Sequence, residues 1–368
     1  IYISIEIVSI MSFVLAGYLK QNARSNEAAL KYVVYGAFSS GVMLFGLSYI
    51  YGLTGTTNIF EIQQAISQLN SGSNTALTMS IVMVLAGFGY KISAVPFHFW
   101  TPDVYEGAPL SITAYLSVAP KAAAFALMIR FFNQMLADGG AMSGLDSISS
   151  TTLPWPEILS LLSIATMTLG NVVALQQKSI KRMLAYSSIA HAGYMLLAMP
   201  VMSGDSIYAI MIYLVMYLFM NLGAFFVAIA VKNKTGGEYF DDYKGLGWEM
   251  PLVGAAMTLF MVSLTGLPPT AGFIGKFYIF SSLIKEGEAF YWLVIIGGIN
   301  SVVSLYYYLK VVKVMYFDGE RKDKIISPPK ILTGAILVTA MPSLLLGIYW
   351  NPIADWVQKS LVFFIQTL

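Results

Sequence analysis

Not one of the 368 residues is a cysteine, which removes iron–sulfur ligation, disulfides and thiol chemistry together. Histidine is nearly as scarce, with two copies, and neither belongs to a metal-spaced cluster. The sequence has no GxxxxGKS/T phosphate loop and no glycine-rich strand-to-helix fingerprint. Nothing in the pattern suggests a nucleic-acid partner. Charge is short too: 11% of residues are charged, against roughly a quarter in a typical soluble domain. A chain without nucleotide or redox chemistry must be driven by an ion gradient or by partner proteins.

What the sequence has instead is apolar length. Hydrophobic residues make up 57%, and runs of about 20, the length needed to cross a bilayer, recur from end to end. Lipid offers no hydrogen-bond partners to the backbone, so each crossing is expected to be an α-helix. Continuous rather than alternating apolar runs argue against a barrel. The reading is an all-α polytopic membrane protein with about ten segments: 1–19, 32–53, 76–97, 111–136, 157–175, 183–203, 206–231, 251–283, 290–316 and 331–348, followed by a short amphipathic tail. The chain starts at Ile1, and Glu6 lies inside the first segment without a signal-peptide pattern, so further helices are expected upstream.

Alternating these segments across a membrane puts 15 of the 21 Lys and Arg residues on one side, among them Arg321, Lys322 and Lys324, and three on the other. The positive-inside rule then makes the rich side cytoplasmic, or its organellar equivalent. One loop on that side, "FHFWTPDVYEGAP", has Asp103 and Glu106 but no basic residue, and is expected to fold back onto the bundle.

Two segments read as discontinuous. One carries Gly87, Gly89 and Pro96; the other, "SLTGLPPTAGFIGKF", carries Pro268 and Pro269, which lack an N–H and clash with the preceding turn. Each is third in a run of four helices, and the two cross in opposite directions. This predicts two inverted repeats, 1–136 and 157–316, with 331–368 a C-terminal helix and tail.

The remaining basic residues, Lys91, Lys121 and Lys276, fall inside predicted spans. A lysine at the centre of a membrane helix costs on the order of 2.5 to 3.5 kcal/mol, unless its stem carries the ammonium to the interface. Lys121 stands about ten residues, roughly 15 Å, from its helix start, with Ala119, Ala122, Ala123 and Ala124 leaving room around it, so snorkelling explains it poorly. Lys91 lies nearer the cytoplasmic end, and Lys276 follows the Pro-Pro break. Glu6 is the single carboxylate inside a predicted span. Burial disfavours the charged form of an amine, so these groups are candidates for proton exchange, with the breaks admitting water and backbone groups. His191, about eight residues into its helix, titrates near working pH when unperturbed; a satisfied core histidine is the bland alternative. His98 is expected at the cytoplasmic rim. A haem held by both histidines is a further alternative that a Soret band would reveal. The aromatics, 14% of the chain, are expected to serve helix packing and interfacial belts.

Four stretches, "FGYKISAVPFHFWTPDVYEGAP", "SVAPKAAAFALMIRFF", "KSIKRMLAYSSIAHAGYMLLA" and "SLTGLPPTAGFIGKFYIF", closely resemble the antiporter-like membrane subunits of NADH-quinone oxidoreductase, respiratory complex I, of the subunit N type. The resemblance runs over essentially the whole chain. It implies about fourteen helices in the full family, in two inverted repeats each with a discontinuous helix, of which about ten are here. It also implies proton translocation coupled to quinone reduction in neighbouring subunits. By motif, Glu6 in "IYISIEIVSI" takes the role of a glutamate paired with Lys91, Lys121 the central relay, Lys276 the distal site and His191 a connecting position. Lys31 in "NEAALKYVVYG" matches a further lysine, although it sits at a helix start where snorkelling is easy. Lysine rather than glutamate at 276 disfavours subunit M, and the short tail disfavours subunit L.

The resemblance implies no cofactor or metal in this chain, with quinone, FMN and iron–sulfur clusters in partner subunits. Its partners would be other membrane subunits of the complex and the lipid bilayer, in a bacterial inner membrane or an organellar energy-converting one. Alternatives are a subunit of a related multi-subunit Na⁺/H⁺ antiporter, or of a ferredoxin- or hydrogenase-linked relative, a free-standing solute carrier, or a structural spacer.

Overall fold

The structure, a computed structural model, describes residues 1–69, 71–136, 154–319 and 325–366; Arg321, Lys322 and Lys324 of the charge count lie outside them. The described residues form fifteen α-helices and no named strand. In chain order these are α1 (Tyr2–Ala16), α2 (Ala23–Thr54), α3 (Ile59–Ser67), α4 (Asn74–Ile92), α5 (Trp100–Gly107), α6 (Leu110–Leu136), α7 (Trp155–Leu175), α8 (Ile180–Leu196), α9 (Gly204–Thr235), α10 (Leu246–Glu249), α11 (Pro251–Thr265), α12 (Ala271–Lys285), α13 (Tyr291–Tyr316), α14 (Lys330–Ile348) and α15 (Asn351–Gln366).

The first helix shows the solvent for which the fold is built. In α1 the buried residues are Ile5, Ser9, Ser12 and Ala16, spaced by three and four on one helical stripe, while Ile3, Ile7, Ile10, Met11 and Val14 are exposed. Small and polar residues face the protein and large apolar ones face out, the reverse of a helix in water. The inward hydroxyls return to the helix itself, Ser9 Oγ to Ile5 O at 2.7 Å and Ser12 Oγ to Val8 O at 2.6 Å, so neither hydroxyl is stranded at the contact. The same rule lets α2 and α4 approach closely: a Cβ on Gly46 would come within 2.7 Å of Met83 Cβ and Ser80 O.

Among the described residues, seven helices are long and apolar enough to span a membrane, or eight if the bent pair Phe240–Glu249 and Pro251–Thr265, at 120°, is one span. The sequence reading of about ten is larger because it counted α1, α8 and the α11–α12 pair. Those helices have 15, 17, 15 and 15 residues; at 1.5 Å per residue each falls short of the roughly 30 Å hydrocarbon core.

Both expected interruptions are present. Helix α4 stops at Ile92, Ser93 turns left-handed at φ 66°, and a cis Val95–Pro96 bond leads towards α5. Helix α11 stops at Thr265, Gly266 takes φ +87°, and a cis Pro268–Pro269 bond precedes α12. The loop expected to fold back is α5, with Trp100, Thr101, Val104 and Tyr105 buried. Three basic residues hold it down: Lys31 and Arg182 reach Asp103 at 2.6 and 2.9 Å, Arg182 also reaches Glu106 at 2.6 Å, and Lys181 donates to Glu106 O and Ala108 O at the end of α5. Burial opposes ionisation of Asp103, but the bonds from Lys31 and Arg182 outweigh it and hold the carboxyl below its ordinary pKa.

At the centre stands α8, buried along almost all of its length and packed on α7, α5, α9, α12, α13 and α6. A helix so enclosed has no lipid-facing side, which is why it tolerates serines, a histidine and a tyrosine.

Candidate functional site

Helix α6 runs unbroken through Pro120, and the next residue, Lys121, is 1% exposed. Its Nζ donates to Ser188 Oγ at 2.6 Å and Ser188 O at 3.2 Å on α8. One residue earlier on α8, the Ser187 and Tyr308 hydroxyls lie 2.5 Å apart. Tyr308 OH is also 3.0 Å from His191 Nε2, and His191 Nδ1 is 2.7 Å from Tyr213 OH. His191 is therefore a satisfied, buried imidazole between two phenols, with neither ring nitrogen left to bind a haem iron.

Lys276, on the first turns of α12, is buried beside the second break. A helix end leaves carbonyls without intrahelical donors, and Lys276 Nζ takes one of them, donating to Thr265 O at 2.7 Å, and also reaches Ser301 Oγ on α13 at 2.9 Å. Its Nζ lies 4.4 Å from the centroid of the Tyr194 ring. The break thus supplies the lysine with an oxygen that an unbroken helix would withhold.

Around the first break the pattern differs. The carbonyl of Tyr90 is taken by Trp100 Nε1 at 2.9 Å and Ser93 Oγ accepts from Thr101 Oγ1 at 2.7 Å, but Lys91 Nζ is buried with no hydrogen-bond partner. Glu6 Oε1 is likewise buried without one, and the pair expected between these residues forms no ion pair, although Glu6 is near enough to act on Lys91 electrostatically. His98 is buried at the turn with its Nδ1 unpartnered, and burial lowers its pKa below that of an ordinary histidine. Lys31 sits apart from this interior, ion-paired with Glu27 and Asp103 on the α2–α5 side.

Charged residues inside membrane helices are rare, and this interior holds several lysines. Residues 1–304 match the family model described as NADH:quinone oxidoreductase/Mrp antiporter, TM. The chain belongs to that family. Among its members, NADH-quinone oxidoreductase subunit N 2 of Sorangium cellulosum is 51% identical over 365 residues, covering 98% of this chain and 71% of that protein. A solved chain of respiratory complex I from Thermus thermophilus with bound aureothin is 31% identical, with TM-score 0.75 over 96% of this chain and 74% of that one. A chain of the membrane-bound sulfane sulfur reductase, an archaeal respiratory membrane complex, is 26% identical, with TM-score 0.85 over 99% of this chain and 71% of that one.

Within this member of the antiporter family, Lys121, His191 and Lys276 gather around α8, while Glu6 and Lys91 lie together elsewhere and Lys31 belongs to the docking of α5. Sequence reasoning missed their neighbours. Ser187, Ser188, Tyr194, Tyr213, Tyr307 and Tyr308 are buried partners inside the site, not members of an interfacial belt. So are Asn171 and Asn300, whose side chains meet at 3.1 Å. The available signal was an uncharged amide in each of two apolar spans, where polar side chains turn inward.

Proposed function

We propose that the chain is a proton-translocating membrane subunit of an NADH:quinone oxidoreductase, working in an energy-converting membrane beside other membrane subunits. It carries no redox centre; FMN, iron–sulfur clusters and quinone belong to partner subunits. The observation that carries this reading is the placement of two buried lysines, Lys121 and Lys276, on either side of His191, each bonded to neutral oxygens and not to a carboxylate. An amine held this way can change its charge without breaking an ion pair. Serine and tyrosine hydroxyls and imidazole both donate and accept, so Ser188, Ser187, Tyr308 and His191 offer stations between the amines.

In this reading Glu6 and Lys91 receive the coupling signal as a change of charge, Lys121 is the central relay, His191 connects, and Lys276 delivers to the distal side. Lys31 serves the α5 clamp more than the relay. The α4–α5 and α11–α12 breaks correspond under the inverted-repeat arrangement, 1–136 and 157–316, with about ten crossings once α1, α8 and the α11–α12 pair are counted. The family description also covers Mrp antiporters, which favours a second reading as a subunit of a multi-subunit Na⁺/H⁺ antiporter. Co-purified iron–sulfur subunits support the first reading, and small antiporter subunits the second.

The test is Lys121→Ala in the reconstituted complex, with electron transfer and acidification followed together. Electron transfer is expected to persist while protons moved per electron fall about tenfold or more. Full pumping would falsify the relay.

A further inference from the structure

Lys276 has a third partner that carries neither an oxygen acceptor nor a charge. Besides Thr265 O and Ser301 Oγ, its Nζ meets the Tyr194 ring face at 4.4 Å. A protonated lysine has three N–H donors and no lone pair, whereas the neutral amine has a lone pair that wants a donor. The surroundings choose between them. A carbonyl only accepts. Ser301 spends its single hydroxyl hydrogen on Thr265 O at 3.1 Å, so towards Lys276 it accepts as well. An aromatic face attracts a cation through its quadrupole. Three donors therefore meet three acceptors, and none of these groups offers a hydrogen to a neutral amine.

The ring is held in place from behind. Tyr194 OH accepts from Asn171 Nδ2 at 3.1 Å, and that amide is fixed by Tyr307 OH, which donates to Asn171 Oδ1 at 2.9 Å, and by Asn300 Oδ1 at 3.1 Å. Asn171 is fully buried. The titratable groups around Lys276 are His191 and Tyr194 on α8, Tyr213 on α9, which packs on Gly275, and Tyr307 and Tyr308 on α13. Helix α11 has none, α14 has only Lys330 at its start, and Lys285 at the far end of α12 is paired with Asp205 at 2.6 Å. Among the described residues the carboxylates on or beside α12 are Asp205, paired with Lys285, and Glu286 and Glu288 beyond the far end of the helix, ten or more positions along the chain from Lys276.

We propose that Tyr194 is a positioning residue that completes a carboxylate-free ammonium cage around Lys276, so that an aromatic face does the work of a counter-ion at the distal proton site. The inference rests on the proton-translocating role given to Lys276 above. It implies that the proton is held there without a fixed negative charge, and that turning the ring aside releases it.

The experiment follows proton pumping per electron against pH in the reconstituted complex. Tyr194→Phe keeps the ring face but loses the bond from Asn171, and is expected to move the profile only slightly. Tyr194→Leu removes it and should move the profile to lower pH by about one unit, the equivalent of a tenfold change in proton binding. Asn171→Leu, which leaves the ring but frees it, should move the profile the same way by less. Coincident profiles for Tyr194→Leu and wild type overturn the cage, as does a Tyr194→Phe shift as large as that of Tyr194→Leu. Should Tyr194→Leu fail to assemble, an unmoved Asn171→Leu profile overturns it instead. Lys276→Ala separates the two levels: pumping that survives it removes the role of Lys276 itself, whereas pumping lost in Lys276→Ala beside an unmoved Tyr194→Leu profile removes the cage alone.

Discussion

Around the α11–α12 break, Lys276 has two oxygens and a ring face at 4.4 Å to receive its three N–H bonds, whereas around the α4–α5 break Lys91 Nζ and Glu6 Oε1 are buried without a hydrogen-bond partner, Lys91 meeting only the Tyr90 ring at 5.7 Å. The two interruptions are otherwise alike: a left-handed residue, a proline, a helix on each side. The difference lies in the order of lysine and break. Lys276 follows its break, and its side chain, which leans towards the helix N-terminus, reaches back to the freed carbonyl of Thr265. Lys91 is the next-to-last residue of α4, just before its break, so the same lean carries its amine away from the freed carbonyls, and Trp100 takes the carbonyl of Tyr90 instead. A buried polar group without a partner costs free energy that a bonded one does not. The first half is therefore the part whose energy changes most when a neighbouring charge changes, which suits a receiver; the second is a fixed seat, which suits a delivery site.

Stability measurements can break this comparison, because the two sites should respond with opposite sign. Replacing Glu6 and Lys91 together by Leu and Met removes two poorly satisfied groups while keeping their bulk. The expected result is unchanged stability or a gain of about 1–4 kcal/mol, the range seen when buried charges yield to hydrophobes, read as thermal unfolding of the purified complex in detergent. Coupled pumping should fall in the same variant. Lys276→Met should instead cost about 1–3 kcal/mol, because the bonds that the ammonium gives to Thr265 O and Ser301 Oγ are both lost, Thr265 O keeping only its bond from Ser301. Equal losses at both sites would mean that the interior of the first half is satisfied in a way the hydrogen bonds do not record.

The parts of this site that could be read in the sequence were those that break a rule by themselves. A lysine in an apolar span and a proline in its middle are anomalies at single positions, and Lys91, Lys121, Lys276, Pro96 and Pro268 each announced a feature that the fold contains. The partners were illegible for a physical reason. Tyr308 lies 117 positions from His191 and Asn300 lies 129 from Asn171, and a tyrosine that ends in a hydrogen bond has the same letter as one in an interfacial belt. Lys181 was read with the loop charges, yet it is almost fully buried and caps α5; only the fold-back of that short helix distinguishes it from Lys178. The number of crossings is hardest to read where a helix shorter than the bilayer, such as α8, is continued by a turn of equally apolar composition.

The smallest effect sharpens the comparison from outside the membrane. Asp103 ties three helices together, bonding Lys31 of α2 and Arg182 of α8 from its place on α5. All three are partly exposed, so the expected cost of Asp103→Asn at neutral pH is below about 1 kcal/mol. Its pH dependence is the more telling readout. The folded protein holds the Asp103 carboxyl below its ordinary value, so the unfolded chain takes up a proton first as pH falls. The stabilisation is therefore fully present above the ordinary carboxylate range, and is lost as pH drops through that range towards the lower folded value. Wild type and Asp103→Asn should accordingly differ most at neutral pH and converge on acidification, as followed by unfolding at a series of pH values. A constant gap would show that Asp103 acts through its shape in the α5 turn, leaving Lys181 and the buried face of α5 to hold the three helices together. Convergence would show that α5 is tied to α2 and α8 through charge.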